Sequence, residues 1–250
     1  MPTHRARFVA LTDLLARTRP DVSTDAIADG RVLVDGRRLT NPAARVRADA
    51  GLRVVPERRL RGDIKLSHAI DALSVDVVGR VGVDVGASAG GFTTALLAHG
   101  AAVVYAVDVG VGQLRGSLRN DARVVNLEGH NVAELTKLLI PGEVSLIVID
   151  LSYLSVADAI PQLERLDISP SARLLALVKP TFELRRGRLA AAPGDVDEAI
   201  RRAVEGIEAS RWVCRGTCAA PSTGQRGSRE AFVHAARASS SSWRRGLLPS

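Results

Sequence analysis

The chain has 250 residues, enough for one full domain and a small second one. A hydrophobic fraction of 46% and a charged fraction of 24% are those of a globular protein and exclude dominant disorder. The longest apolar runs, around Leu146–Leu151 and Leu174–Val178, have strand length, far short of the ~20 residues of a membrane-spanning helix. Asp13 and Arg17 interrupt the apolar residues near the N-terminus, which does not read as a secretory signal, so a cytoplasmic protein without a membrane partner is expected. Cys214 and Cys218 form neither a disulfide framework nor, lacking a histidine pair, a zinc signature, so no metal is expected.

The net charge is +7 and is unevenly placed. Residues 1–62 hold 13 basic and 7 acidic side chains; residues 63–250 hold 21 and 20. A compact basic segment on a nearly neutral body points to a polyanion-binding module. Within it, Phe8, Leu11, Leu14 and Leu15 recur at helical spacing. A second short helix fits Ser23 to Ala28, capped by Ser23 or Thr24 and stopped at Gly30. Asp35-Gly36 between apolar runs is a hairpin signal, and Leu52 to Val55 fits a further strand. The string "DAIADGRVLVDGRRLTNPAARVRADAGLRV" resembles the S4-type RNA-binding domain. The resemblance implies a small α+β domain over residues 1–58 and a linker over 59–64. It implies an RNA-facing surface carrying Arg31, Arg37, Arg38, Arg45 and Arg47.

The body, residues 65–237, alternates strands and helices. Val81–Val85, Ala102–Val107, Arg123–Leu127, Val144–Ile149 and Arg173–Val178 are near-continuous apolar runs, and Phe92–His99 is helical. Such runs predict a parallel sheet with helices on both faces. Trp212–Ala219 and Glu230–Ala236 read instead as two strands with no helix between them. An α/β sheet closing in an antiparallel hairpin is the Rossmann-like arrangement of methyltransferases. Residues 238–250 read as a disordered tail.

Chemistry in such a sheet lies at the carboxyl ends of the strands. Asp84, Asp108, Asp150 and Lys179 fall there in step. The segment Asp84 to Phe92, with Gly86, Ser88, Gly90 and Gly91, follows a strand and opens a helix. Its G-x3-G-G spacing fits a pyrophosphate-binding dehydrogenase less well than an S-adenosylmethionine (SAM) site. There, Asp84 can attract the ammonium end, Asp108 can take both ribose hydroxyls, and Asn131 can face the adenine.

The strings "DVGASAGGFTTALL", "YAVDVGVGQL", "LRNDARVV", "VIDLSYLS", "LVKPTFE" and "STGQRGSREAF" occur in that order. Together they resemble the TlyA family of rRNA 2′-O-methyltransferases, relatives of the FtsJ type. The resemblance implies a Lys-Asp-Lys-Glu tetrad on Lys65, Asp150, Lys179 and Glu230, with Lys65 just before a helix at Ala69. Lys179 would accept or orient the proton of a ribose 2′-hydroxyl, and Lys65 would lower its pKa and help place the ribose. Asp150 and Glu230 would hold the lysines and the hydroxyl in line. A lysine suits this role because arginine is always charged; the chain has only three lysines against 31 arginines, and two fall on the tetrad. Ser88, Phe92, Ser152, Tyr153 and Pro180 would shape the pocket. Arg185, Arg186 and Arg188 would line the RNA entrance, while Asp63, an acid just before Lys65, would repel phosphate.

The resemblance thus implies methyl transfer from SAM to ribosomal RNA, on cytidine, with rRNA or a ribosomal subunit as partner. Competing readings are a non-catalytic RNA-binding or ribosome-assembly protein and a methyltransferase for another RNA or a small molecule. A pore-forming haemolysin is the remaining one, and the absence of membrane signals counts against it. The oligomeric state is not legible.

Overall fold

A computed structural model describes residues 7–185, 194–222 and 228–238. The expected roles of Arg186 and Arg188, and the tail, lie outside the described residues. The chain divides into two compact units, one of residues 1–59 with 115–121, the other of 60–114 with 122–250.

The first unit opens with β1 (Phe8–Ala10), which pairs antiparallel with β4 (Arg45–Arg47). Phe8 therefore belongs to a strand and not to the helix its spacing predicts; the helix α1 starts at Leu11 and ends at Thr18 (Leu11–Thr18). Helix α2 (Asp25–Ala28) is followed by β2 (Val32–Val34) and β3 (Arg37–Arg38), with β5 (Leu52–Val54) on the other side of β2. Asp35 and Gly36 both take positive φ, 47° and 80°, as a two-residue hairpin turn with right-handed strand twist requires. Leu11, Leu14, Leu15, Ile27, Val32 and Val46 form the unit's core. Val46 faces inward, so its neighbours Arg45 and Arg47 face outward.

The second unit is a seven-stranded sheet in the order β11-β12-β10-β9-β6-β7-β8. Strands β6 (Val81–Val85), β7 (Val103–Asp108), β8 (Val124–Glu128), β9 (Val144–Ile149) and β10 (Ile168–Val178) run parallel. Strand β12 (Ala231–Arg237) is antiparallel between β10 and β11 (Trp212–Ala219). Strand β10 starts earlier than its apolar run predicts, with a register shift between Ile168 and Arg173. Pro170 lies inside that stretch and has no N–H to give the ladder. Helix α8 (Asp195–Ala209) covers β10, β11 and β12 from one face. Helices α3 (Arg61–Ala72) and α4 (Gly91–Ala98) pack together on the other, where Phe92 of α4 meets Phe232 of β12 at 5.8 Å between ring centroids.

Residues 61–64, expected in a linker, are the first turn of α3, and Lys65 sits inside that helix rather than before it. Asp63 is correspondingly buried (4% exposed) and accepts a hydrogen bond from Ser67, so it presents no exposed acid. The two helices approach closely because glycines meet at the crossing. A Cβ on Gly91 would lie 2.9 Å from Gly62 Cα and 3.0 Å from Asp63 N. Backbone cannot yield as a flexible side chain does, so Gly91→Ala should cost about 1–3 kcal/mol by overpacking. Urea unfolding would measure it, and an unchanged midpoint would show that the crossing has slack.

Candidate active site

The loop from β6 to α4 is built for close approach. Gly86 has φ +94°, and a Cβ on it would sit 2.4 Å from the Asp150 carbonyl oxygen. Gly86 N and Ala87 N both donate to Val107 O at 2.9 Å, binding the loop to β7. Ser88 holds φ +48° without being glycine, a strained conformation of the kind that gathers at functional sites. Gly90, at φ +92°, caps α4.

Asp84 is not at the cleft surface. Alternation along β6 turns it toward α4, where it is fully buried and its Oδ2 accepts from the Thr93 hydroxyl at 2.7 Å. Oδ1 has no protein partner among the described residues. Burial, reinforced by the nearby Asp150 and Asp108 charges, pushes its pKa up to about 7. Asp84 thus presents no open carboxylate at the cleft.

Asp108, at the end of β7, is half-buried and holds the same loop from the other side: Ser88 N donates to Oδ2 at 2.8 Å and Gly110 N to Oδ1 at 2.7 Å. Glu128, at the end of β8, was not selected from sequence. Its Oε1 accepts from Gln113 N at 2.5 Å and Leu114 N at 2.9 Å, which fixes the loop after Asp108. Although its partial desolvation opposes ionisation, bonds from Asn126, Leu114, Gln113 and Gly112 outweigh it and lower its pKa to about 2. The signal for Glu128 was its place at a strand end, one strand beyond Asp108. Asn131 spends its side-chain oxygen on Ala133 N, capping a short 3-10 helix in a capping box with Glu134. Val109, Val111 and Tyr153 are exposed apolar side chains (53%, 79% and 51%) around these strand ends. A carboxylate suited to a diol, beside uncovered apolar surface, fits the ribose and adenine of SAM.

The tetrad positions come together as two ion pairs. Lys179 Nζ lies 2.5 Å from Asp150 Oδ1 and donates to Ser152 Oγ at 2.9 Å. Lys65 Nζ lies 2.5 Å from Glu230 Oε2, and both side chains are buried (10% and 4% exposed). The sheet aligns them. Val178 pairs with Ala231 across β10 and β12, which sets Lys179 and Glu230 side by side just beyond that rung. Pro180 opens α7 (Pro180–Glu183), which turns the chain immediately after Lys179. Glu183 at its end is buried (5% exposed) and accepts from Val156 N at 2.5 Å, tying α7 to α6 (Val156–Ala159). Burial pushes its pKa up to about 7. Arg185, expected at an RNA entrance, turns its guanidinium to Asp158, 2.9 Å away.

Of the basic residues in the first unit, Arg31 pairs with Glu57, Arg47 with Asp49, and Arg45 donates to Phe8 O. Arg37 and Arg38 are exposed on the hairpin, with neither in an ion pair among the described residues. No group of three or more potential metal ligands occurs among the described residues.

Parallel strands, a reversed β12 between β10 and β11, and a glycine loop leading into α4 define a SAM-dependent methyltransferase of the Rossmann-like class. A SAM-dependent methyltransferase structure from Mesorhizobium loti shares this fold, with a TM-score of 0.50 at 18% identity over 68% of this chain and 96% of that one. The chain belongs to the FtsJ-like methyltransferase family, which matches residues 58–237, and within it to the TlyA family. The 16S/23S rRNA (cytidine-2′-O)-methyltransferase TlyA of Mycobacterium tuberculosis is 41% identical over 230 residues, 88% of this chain and 84% of that one. A solved structure of a hemolysin candidate from Streptococcus thermophilus has a TM-score of 0.65 at 27% identity, covering 94% of this chain and 90% of that one. No helix among the described residues is long and apolar enough to cross a membrane.

Removing one partner of a buried ion pair strands the other. Lys65→Met should therefore cost about 3–5 kcal/mol, whereas Lys65→Met with Glu230→Leu should recover most of it. Chemical unfolding of both variants checks this; equal losses would mean that the pair is not coupled. The raised carboxyl groups give a second expectation. Asp84 and Glu183 bind their protons more tightly folded than unfolded, so their stabilising contribution is complete below their ordinary values, 3.8 and 4.5, and is lost as pH rises toward about 7. Through these groups melting temperature should fall between about pH 4 and pH 7, and fall less in Asp84→Asn and Glu183→Gln. Parallel curves for the variants and the parent would refute this.

Proposed function

We propose that this protein transfers a methyl group to the 2′-hydroxyl of a cytidine in ribosomal RNA. The observation that carries the reading is the pair of lysine–carboxylate contacts at the ends of β9, β10 and β12, in a chain of the TlyA family. SAM, when bound, supplies an electrophilic methyl on a sulfonium. The residues of the chain then have to hold a weak nucleophile in line with it, where orientation is worth several orders of magnitude.

Lys179 has three donor positions. Ser152 takes one of them, and the Asp150 carboxylate lies against the ammonium as an ion pair. A further position serves the ribose oxygen: protonated, the nitrogen fixes that oxygen in place; as a free amine, it takes the hydroxyl proton. Lys65, fixed by Glu230, borders the same space from α3 and places the ribose. Gly86, Ser88, Gly90, Gly91 and Phe92 shape the cofactor loop, Asp108 holds the ribose of the cofactor, and Asn131 lies beside its adenine. The first unit serves as an S4-type RNA-binding domain, with Arg37 and Arg38 among its exposed cations, and the protein works on rRNA in the cytoplasm, on a ribosomal subunit.

The test is incorporation of labelled methyl from SAM into unmodified small and large ribosomal subunits. Lys179→Ala should lower incorporation by about 10²–10⁴-fold, the usual range for loss of a positioned acid–base group, while SAM binding persists. Lys179→Arg should fail as well, because a guanidinium cannot give up its proton. Protein that binds SAM but methylates neither subunit would overturn the ribosomal assignment.

A further inference from the structure

Asp108 carries more hydrogen bonds than its expected role leaves room for. A carboxylate has roughly four acceptor positions. Three are filled from within the protein: Ser88 N on Oδ2 at 2.8 Å, Gly110 N on Oδ1 at 2.7 Å, and Gln113 Nε2 on Oδ1 at 3.1 Å. A ribose diol laid across both oxygens brings two further donors. One of the three present donors must then leave.

The two backbone donors are fixed. Ser88 lies in the loop bound to Val107 O through Gly86 N and Ala87 N, and the loop holding Gly110 is anchored by Glu128. The Gln113 carboxamide alone sits on a flexible side chain. It is exposed, and its contacts are the long ones, 3.1 Å to Asp108 and 3.3 Å from Ser88 Oγ to its own oxygen. Its seat exists because Gly110 has no side chain: a Cβ there would stand 1.6 Å from Gln113 Nε2. The Gln113 backbone is held independently, by its N–H on Glu128 at 2.5 Å. The amide can therefore leave while the loop stays.

We propose that the Gln113 carboxamide is a displaceable occupant of the ribose subsite, standing on Asp108 where one ribose hydroxyl belongs and swinging out when the adenosyl group enters. It satisfies the Asp108 carboxylate between turnovers and competes with the product for the same oxygen, which speeds product release. The proposal rests on Asp108 being the ribose acceptor.

Calorimetric titration of the wild-type protein and Gln113→Ala with S-adenosylhomocysteine, and with its 2′,3′-dideoxy analogue, separates the possibilities. Gln113→Ala should bind S-adenosylhomocysteine about 2- to 10-fold more tightly, the worth of one net hydrogen bond. The dideoxy analogue, with no hydroxyl to compete, should bind both proteins equally. Weaker binding of S-adenosylhomocysteine by Gln113→Ala would overturn the proposal and make Gln113 a direct ligand of the cofactor. An equal gain for both compounds would also overturn it, since relief of crowding needs no hydroxyl. If neither protein prefers the compound with hydroxyls, the assignment of Asp108 itself falls, and the proposal with it.

Discussion

A lysine and a glutamate taken out of water together are expensive, and the two that meet here come from opposite ends of their unit. Lys65 lies on the first helix of the sheet domain and Glu230 at the start of its last strand. Buried pairs of this kind add little net stability compared with apolar residues of the same size. What the pair does add is position. It sets α3 against the end of β12, and the glycine crossing of α3 with α4 passes that placement to the loop after β6. Lys179 and Asp150 complete the arrangement from the neighbouring strands.

Four acids at neighbouring strand ends have been given different work by their surroundings. Asp84 is sealed beneath the loop, with one oxygen unpartnered and its proton retained up to about pH 7. Asp108 is half-open and heavily hydrogen-bonded. Glu128, fed by backbone N–H groups, stays ionised down to about 2. Asp150 is matched to a lysine. Burial decides the first and hydrogen bonds the third. Four equivalent acids this close would repel one another; here Asp84 holds its proton up to about pH 7, which lowers that repulsion.

Much of this was legible before the structure. Val144–Ile149 and Trp212–Ala219 match the observed strands residue for residue, the first because β-branched and apolar residues dominate it. Asp35-Gly36 turns where its backbone preferences demand. The family resemblance carried by the order of motifs implied Lys65, Asp150, Lys179 and Glu230, and these four form two ion pairs. Less legible were properties that depend on tertiary packing. Helical spacing did not distinguish Phe8, whose strand exists only because β4 is beside it. The first turn of α3 passed for a linker, since Gly62 and Asp63 are poor helix formers and only the contact with Gly91 explains the glycine. Asp84 was expected to face the cleft because sequence cannot say which side of a strand the loop folds over. Glu128 and Glu183 act through the backbone N–H groups they accept, and no pattern of residue types records that.

The reversed strand β12 has a consequence in time as well as in space. It lies between β10 and β11, and it is made after both. A chain growing from its N-terminus can therefore assemble β6 to β10 while the place beside β10 stays open, with β11 unable to close it in the final order. Only insertion of the last strand brings Glu230 to Lys65, a closure spanning 165 residues. Such a distant contact forms late and slowly. The nascent polypeptide thus carries its glycine loop well before it carries the Lys65–Glu230 pair, and the order in which the chain is made becomes the order in which that end of the sheet is assembled.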